Sequence, residues 1–157
     1  MKNITPFLWF NNNAEEAVNF YTSIFKDSKI GNVSRYGDAG PGPKGQVMVA
    51  NFWINGQEFM ALNGGPVHKF TEAVSFVVNC ENQEEVDMYW EKLSAGGKTD
   101  QCGWLKDKFG LSWQIVPTAL GKLMSDKDPE RVKRAMTAML KMTKIDIPLL
   151  EKAAAGK

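Results

Sequence analysis

One histidine, His68, and two cysteines, Cys80 and Cys102, are all that 157 residues offer in side chains with a strong preference for transition metals. With only two cysteines and no CxxC spacing, a disulfide framework and a zinc knuckle have little support, and a reducing cytoplasmic setting is expected. Charge of either sign is also lacking in excess: 19 Lys and Arg face 18 Asp and Glu. No basic run is long enough to track phosphates, which excludes nucleic acid as the expected partner. No apolar run approaches the roughly 18 residues of a membrane span, and the opening Met1-Lys2-Asn3-Ile4-Thr5-Pro6 has no apolar signal region. The sequence therefore reads as a soluble cytoplasmic protein of one compact domain.

What is present is alternation and punctuation. In Asp107–Val116 a Gly-containing turn leads into Leu111, Trp113 and Ile115 on one face and Ser112, Gln114 and Val116 on the other, the signature of a half-buried strand. Earlier, Ile4 to Phe10 reads as a strand that ends at Asn11-Asn12-Asn13, a cluster suited to capping a helix with Glu15 and Glu16 in its first turn. Ala17, Phe20, Tyr21, Ile24 and Phe25 give that helix one apolar face. Lys29 to Tyr36 is a second strand. The Gly/Pro-rich stretch 37–45 predicts a mobile loop, and Val47–Ile54 with Gln57–Leu62 forms a hairpin about Asn55-Gly56.

From Ala73 the pattern restarts with a strand to Asn79 and a helix from Gln83 to Ala95 closed by Gly96-Gly97. A shift of 69 (76 minus 7) lays Phe7 on Phe76 and Glu15-Glu16 on Glu84-Glu85. A shift of 54 (110 minus 56) lays Gly56 on Gly110 and Met60 on Gln114. Each half thus reads β-α-β-β-β: module one at 1–66, module two at 71–117, and a helical extension at 118–157. The predicted fold is α+β, with paired βαβββ modules making a curved mixed sheet around an open cup. In the extension, Asp128-Pro129 and Asp146 start two helices. Val132, Ala135, Met136, Met139 and Leu140 mark a buried face, and the Ala-rich end is expected to fray.

The cup is expected to be a small-molecule pocket lined by Leu8, Phe10, Met60, Leu62, Ser75, Val77, Ser112 and Gln114, mostly apolar with a few amides and hydroxyls. His68, on the loop after Gly64-Gly65-Pro66, is placed at its rim. Trp53 and Trp104 near strand ends are candidates for stacking on a planar ligand, and Arg35 and Tyr36 for meeting an anion. Gly40-Pro41-Gly42-Pro43 falls between two strands and its prolines lack N–H groups, which argues against a Rossmann-type cradle for S-adenosylmethionine.

Pro6–Phe10 with Ala14–Ala17 and Phe20-Tyr21, Gly56–Phe59 with Asn63–Pro66, Asp107–Ile115, and the tail Ala138–Met142 with Lys144–Asp146 together resemble the vicinal oxygen chelate superfamily. That superfamily contains glyoxalase I, bleomycin-resistance proteins and extradiol dioxygenases. The resemblance is to its PhnB-like branch, often labelled 3-demethylubiquinone-9 3-methyltransferase. It implies homodimers, and it carries a divalent-metal site onto Pro6, Met60, Ser75 and Gln114. None of the four is a strong ligand for a hard cation, so no metal and no other cofactor is expected. The expected function is small-molecule binding without the superfamily metal. The alternatives are a metal-dependent lyase, isomerase or dioxygenase, with His68 involved, and a drug-sequestering resistance protein.

Overall fold

A computed structural model describes residues 4–157, so Met1, Lys2 and Asn3 of the N-terminal stretch lie outside it. The chain divides into two compact units, residues 1–70 and 71–157.

In the first unit β1 (Phe7–Phe10) leads into α1 (Ala14–Ile24), followed by β2 (Ser28–Arg35), β3 (Val47–Ile54) and β4 (Gln57–Asn63). The strand order is β1-β4-β3-β2, with β1 parallel to β4 and the other pairs antiparallel. The parallel pair needs a crossover, which α1 supplies by packing Ala17, Val18, Tyr21 and Ile24 onto the sheet. Tyr21 stacks on Phe52 and Phe52 on Phe59, at 6.2 and 5.4 Å between ring centres. Burial of each such side chain contributes about 1.5–3 kcal/mol. The hairpin turn is of the expected kind: Asn55 and Gly56 both have positive φ, 47° and 70°.

One expectation fails here because of a buried polar residue contributed from far along the chain, which also anchors the base of the Gly/Pro stretch. Asn13 makes no side-chain cap on α1; the Ala14 N–H instead donates to the Asn63 Oδ1 of β4 at 2.8 Å. The Gly/Pro stretch is also tied down. Tyr36 and Gln46 pair through their backbones, the Gly45 N–H donates to the Tyr36 carbonyl, and the Tyr36 hydroxyl donates to the Asn63 carbonyl at 2.6 Å.

In the second unit β5 (Ser75–Cys80), α2 (Gln83–Ser94), β6 (Lys98–Thr99), β7 (Trp104–Lys106) and β8 (Ser112–Pro117) repeat the plan, in the order β5-β8-β7-β6. Here the cap is local, with the Asn82 Oδ1 accepting from the Glu85 N–H and the Glu85 carboxylate accepting from the Glu81 N–H. Val86, Tyr89 and Leu93 of α2 cover Val78, Cys80, Leu105 and Ile115.

The extension adds α3 (Thr118–Met124), α4 (Pro129–Met139) and α5 (Ile147–Ala154), the last two capped by Asp128 and Asp146 as their sequence predicts. The buried face of α4 is rotated from the expected one: Ala135 is enclosed while Met136 and Leu140 are exposed. The alanine-rich end is packed rather than frayed. Ala154 is buried and its carbonyl accepts from Arg134 at 2.7 Å, while Ile145 and Leu150 form a small core with Leu120. The Gln83 side chain ties this segment to α2 by accepting from the Ile147 N–H and donating to the Ile145 carbonyl.

Candidate functional site

Strand pairing sorts the nine sequence-predicted site residues by face. In the second unit Ser75 lies opposite Ser112 and Val77 opposite Gln114, so all four share the face turned away from α2. The Gln114 Nε2 donates to the Ser75 Oγ at 2.8 Å. Ser112 is buried, and its hydroxyl has no hydrogen-bond partner among the described residues. Trp104 of β7 lies opposite Gln114 and Lys106 opposite Ser112, which extends the same face. Lys106 is ion-paired with Glu72, and that pairing holds the Glu72 carboxyl below its ordinary range. A cavity of about 170 Å3 opens here, with Ser112, Trp104, Lys106 and Glu72 in its wall.

In the first unit the candidates separate. Phe7 lies opposite Met60 and Trp9 opposite Leu62, so Met60 and Leu62 share their face with Phe7 and Trp9. Leu8 and Phe10 pair with Ala61 and Asn63 and are buried on the side of α1. Their assignment to the cup is therefore corrected: they belong to the helix-packed core. The cause is one residue of loop length. Since Phe7 pairs with Met60 as Val77 pairs with Gln114, the first strands match at a shift of 70 (77 minus 7), while α1 and α2 begin 69 residues apart (83 minus 14). Carrying the helix shift into the strand turned β1 over, because side chains alternate with period two.

His68 is exposed, with its ring edge-on to Trp9 at 4.8 Å. The Trp9 indole N–H donates to the Gly65 carbonyl at 2.9 Å, and its ring lies so close over Gly64 that an added Cβ would meet it at 2.3 Å. Trp53 is covered by Lys29, 4.8 Å from its ring, and by Gly31. Arg35 is held by Glu15 at 2.7 Å and by the Gly45 carbonyl, an arrangement that lowers the Glu15 pKa. Tyr36 and the Gly/Pro stretch wall a second cavity, of about 300 Å3, with Asn11, Gln46 and Asn63.

Sequence reasoning passed over Asp107, the residue that shapes the approach to β8. Its buried carboxylate accepts from the Phe109 and Leu111 N–H groups and from the Trp113 indole, at 2.9, 3.0 and 2.9 Å. These bonds close the turn and lock Trp113 on the core side, which points Ser112 and Gln114 the other way. Asp followed by Gly three residues on was the available signal.

The donor chemistry does not suit a divalent ion. By the same alternation Pro6 falls on the side of Leu8 and Phe10, and its carbonyl accepts the Met60 N–H; Met60 offers a thioether, and Ser75 and Gln114 bond to each other. Among the described residues no three His, Cys, Asp or Glu side chains converge. Burial pushes the Cys80 thiol up to about 12, which leaves it unreactive at neutral pH. No helix among the described residues is long and apolar enough to cross a membrane.

Comparison with known proteins gives a consistent picture. Residues 2–116 match the family described as 3-demethylubiquinone-9 3-methyltransferase. A solved structure from Bacillus cereus, a putative 3-demethylubiquinone-9 3-methyltransferase (PhnB protein), is 44% identical over 74% of this chain and 99% of its own, with a TM-score of 0.69. Protein PA1353 from Pseudomonas aeruginosa is 22% identical over 74% of this chain and 98% of its own, with a TM-score of 0.63. The fosfomycin resistance protein FosX from Listeria monocytogenes is 17% identical over 80% and 98%, with a TM-score of 0.57; these last two share the fold. No functionally curated protein matches the chain. The family match ends at residue 116, so the tail segment 138–146 that contributed to the sequence resemblance lies beyond it.

Proposed function

Because the chain belongs to the PhnB-like family described as 3-demethylubiquinone-9 3-methyltransferase, within the vicinal oxygen chelate superfamily, we propose that it binds a small molecule without the superfamily's metal. The observation that carries this reading is the face of the second sheet turned away from α2. There the buried Ser112 hydroxyl, without a partner among the described residues, and the Trp104 ring line a cavity, and the Ser75–Gln114 hydroxyl–amide pair and Val77 share their face. Neutral polar groups among apolar ones are the usual lining of a small-molecule pocket. Ser75, Val77, Ser112 and Gln114 are its proposed contacts in this unit. Met60 and Leu62 occupy the corresponding face of the first unit, and His68 borders that face through Trp9.

The methyltransferase wording in the family's description does not bring a Rossmann mechanism with it. That mechanism requires a glycine-rich turn between a strand and the helix that follows. Here the β1–α1 turn is Asn11-Asn12-Asn13 and the β5–α2 turn is Glu81-Asn82. The proposal includes a cytoplasmic homodimer, supported by the position of β1 and β5 at sheet edges, where further strands can add.

Elemental analysis and native mass spectrometry of the purified protein test the proposal. The expected result is substoichiometric metal together with a small molecule that dissociates on denaturation. Stoichiometric metal that is lost in His68→Ala overturns it.

A further inference from the structure

Ser112 is the group of the second unit that the fold leaves unanswered. It is 1% exposed and its hydroxyl makes no hydrogen bond among the described residues, a costly arrangement unless something outside the chain supplies the partner. It lines the cavity of about 170 Å3 together with Glu72, Lys98, Asp100, Trp104 and Lys106.

The strand register arranges this face of the sheet in two rows, from which Lys98, Lys106, Ser112 and Trp104 line the cavity. In one, Lys98 lies opposite Lys106, Lys106 opposite Ser112, and Ser112 opposite Ser75: two ammonium groups followed by two hydroxyls. In the next, Trp104 lies opposite Gln114 and Gln114 opposite Val77, giving a flat and mostly apolar strip. Like charges directly opposite each other repel, so the first row attracts an anion. Glu72 fills that role from within the chain by pairing with Lys106. Asp100, the other carboxylate of the wall, is engaged at the turn, where its Oδ1 accepts from the Gln101 N–H.

The geometry points to a subsite for a small aromatic carboxylate. Its ring lies along Trp104. Its carboxylate takes the Ser112 O–H and the Lys106 ammonium, displacing Glu72, which stands in for it in the free protein. Size agrees, since a cavity of about 150 Å3 admits one benzene ring. The inference rests on the small-molecule reading above and gives that ligand a chemical class.

Benzoate, benzamide and benzylamine have nearly the same shape and differ in charge, which makes them the probes. Binding to the full chain is followed by calorimetry and by the NMR signal of the Trp104 indole N–H, assigned with Trp104→Phe. Benzoate is expected to bind about tenfold tighter than benzamide, with benzylamine weaker still, and to shift the Trp104 signal. Ser112→Ala is expected to weaken benzoate about tenfold while leaving the melting temperature unchanged or higher, because it removes an unsatisfied hydroxyl. Glu72→Gln is expected to strengthen benzoate binding by removing the internal competitor. Inorganic phosphate, which carries the charge without the ring, is expected not to displace benzoate. Benzylamine binding as tightly as benzoate, phosphate displacing benzoate at equal concentration, or benzoate affinity unchanged in both variants would each overturn the subsite. If the purified protein carries a small molecule but no probe moves Trp104, the subsite fails and the broader reading stands; if it carries none and no probe binds, both fail.

Discussion

The two units have the same strand–helix–strand–strand–strand plan and use it differently. On the helix-packed faces they correspond closely: Leu8 and Phe10 stand where Val78 and Cys80 stand, and Phe59 and Ala61 where Trp113 and Ile115 stand, all buried. On the opposite faces they have diverged. The first unit presents Phe7, Trp9, Met60 and Leu62, and the second presents Ser75, Val77, Ser112 and Gln114 beside Trp104 and Lys106. Close packing restricts what a core position can hold, whereas the other face is free to acquire chemistry. Each unit also relies on one buried polar residue to fix its loops, Asn63 in the first and Asp107 in the second.

Removing those two residues is the strongest way to break the comparison. Asp107→Ala leaves two backbone N–H groups and the Trp113 indole without their acceptor, and it should cost about 3–4 kcal/mol in urea denaturation. Because the turn before β8 is then unfixed, the Trp113 fluorescence environment should change as well. Asn63→Ala removes the Ala14 cap and the bond to the Val47 carbonyl, for an expected loss of about 2–3 kcal/mol. If the two variants were equally stable with wild type, the polar anchors would have no structural role.

A smaller effect sharpens the contrast at the unpartnered hydroxyls. Among the described residues the buried Ser28 Oγ of the first unit has no hydrogen-bond partner, nor has Ser112 Oγ in the second. Ser28→Ala should be neutral or stabilising by up to about 1 kcal/mol in thermal melts, and it should leave ligand binding untouched. A loss of binding would mean that the first unit also contributes a contact.

The smallest effect concerns acid stability. Lys144 and Gln83 beside Asp87 lower its pKa, and Arg35 does the same for Glu15. A carboxyl with a depressed folded pKa contributes stability that is complete above its ordinary value, 3.8 for Asp and 4.5 for Glu, and is lost as the pH falls through the folded value. Both pairs are solvent-exposed, so Asp87→Asn and Glu15→Gln should each cost no more than about 1 kcal/mol at pH 6. Each variant's melting temperature should approach that of wild type as the pH falls from the ordinary carboxyl value through the depressed folded value. A difference that persists at pH 2 would assign the effect to packing instead.

Much of the fold was legible because its signals are local. The Asn55-Gly56 turn, the Asp128 and Asp146 caps and the alternation from Leu111 to Val116 each lie within a few residues of the structure they specify. The second unit's face was readable for that reason: Ser112 and Gln114 sit between Leu111, Trp113 and Ile115, so polarity marks the side. In β1 the run Phe7-Leu8-Trp9-Phe10 is apolar throughout and carries no such mark. Its orientation had to be borrowed from the repeat, and a loop one residue longer than its counterpart reversed it.

By itself, the sequence determined the element order, the internal duplication, the turns and the scarcity of metal-binding side chains, because each depends on residue type and on spacing within a few positions. Only tertiary structure decided which face of β1 is buried, that Asn63 rather than Asn13 caps α1, that the Gly/Pro stretch is fastened over Tyr36, and that the alanine-rich end is packed. Each of these is a contact between residues distant in the chain, and strand register, which is cooperative across the whole sheet, selects which distant partners meet.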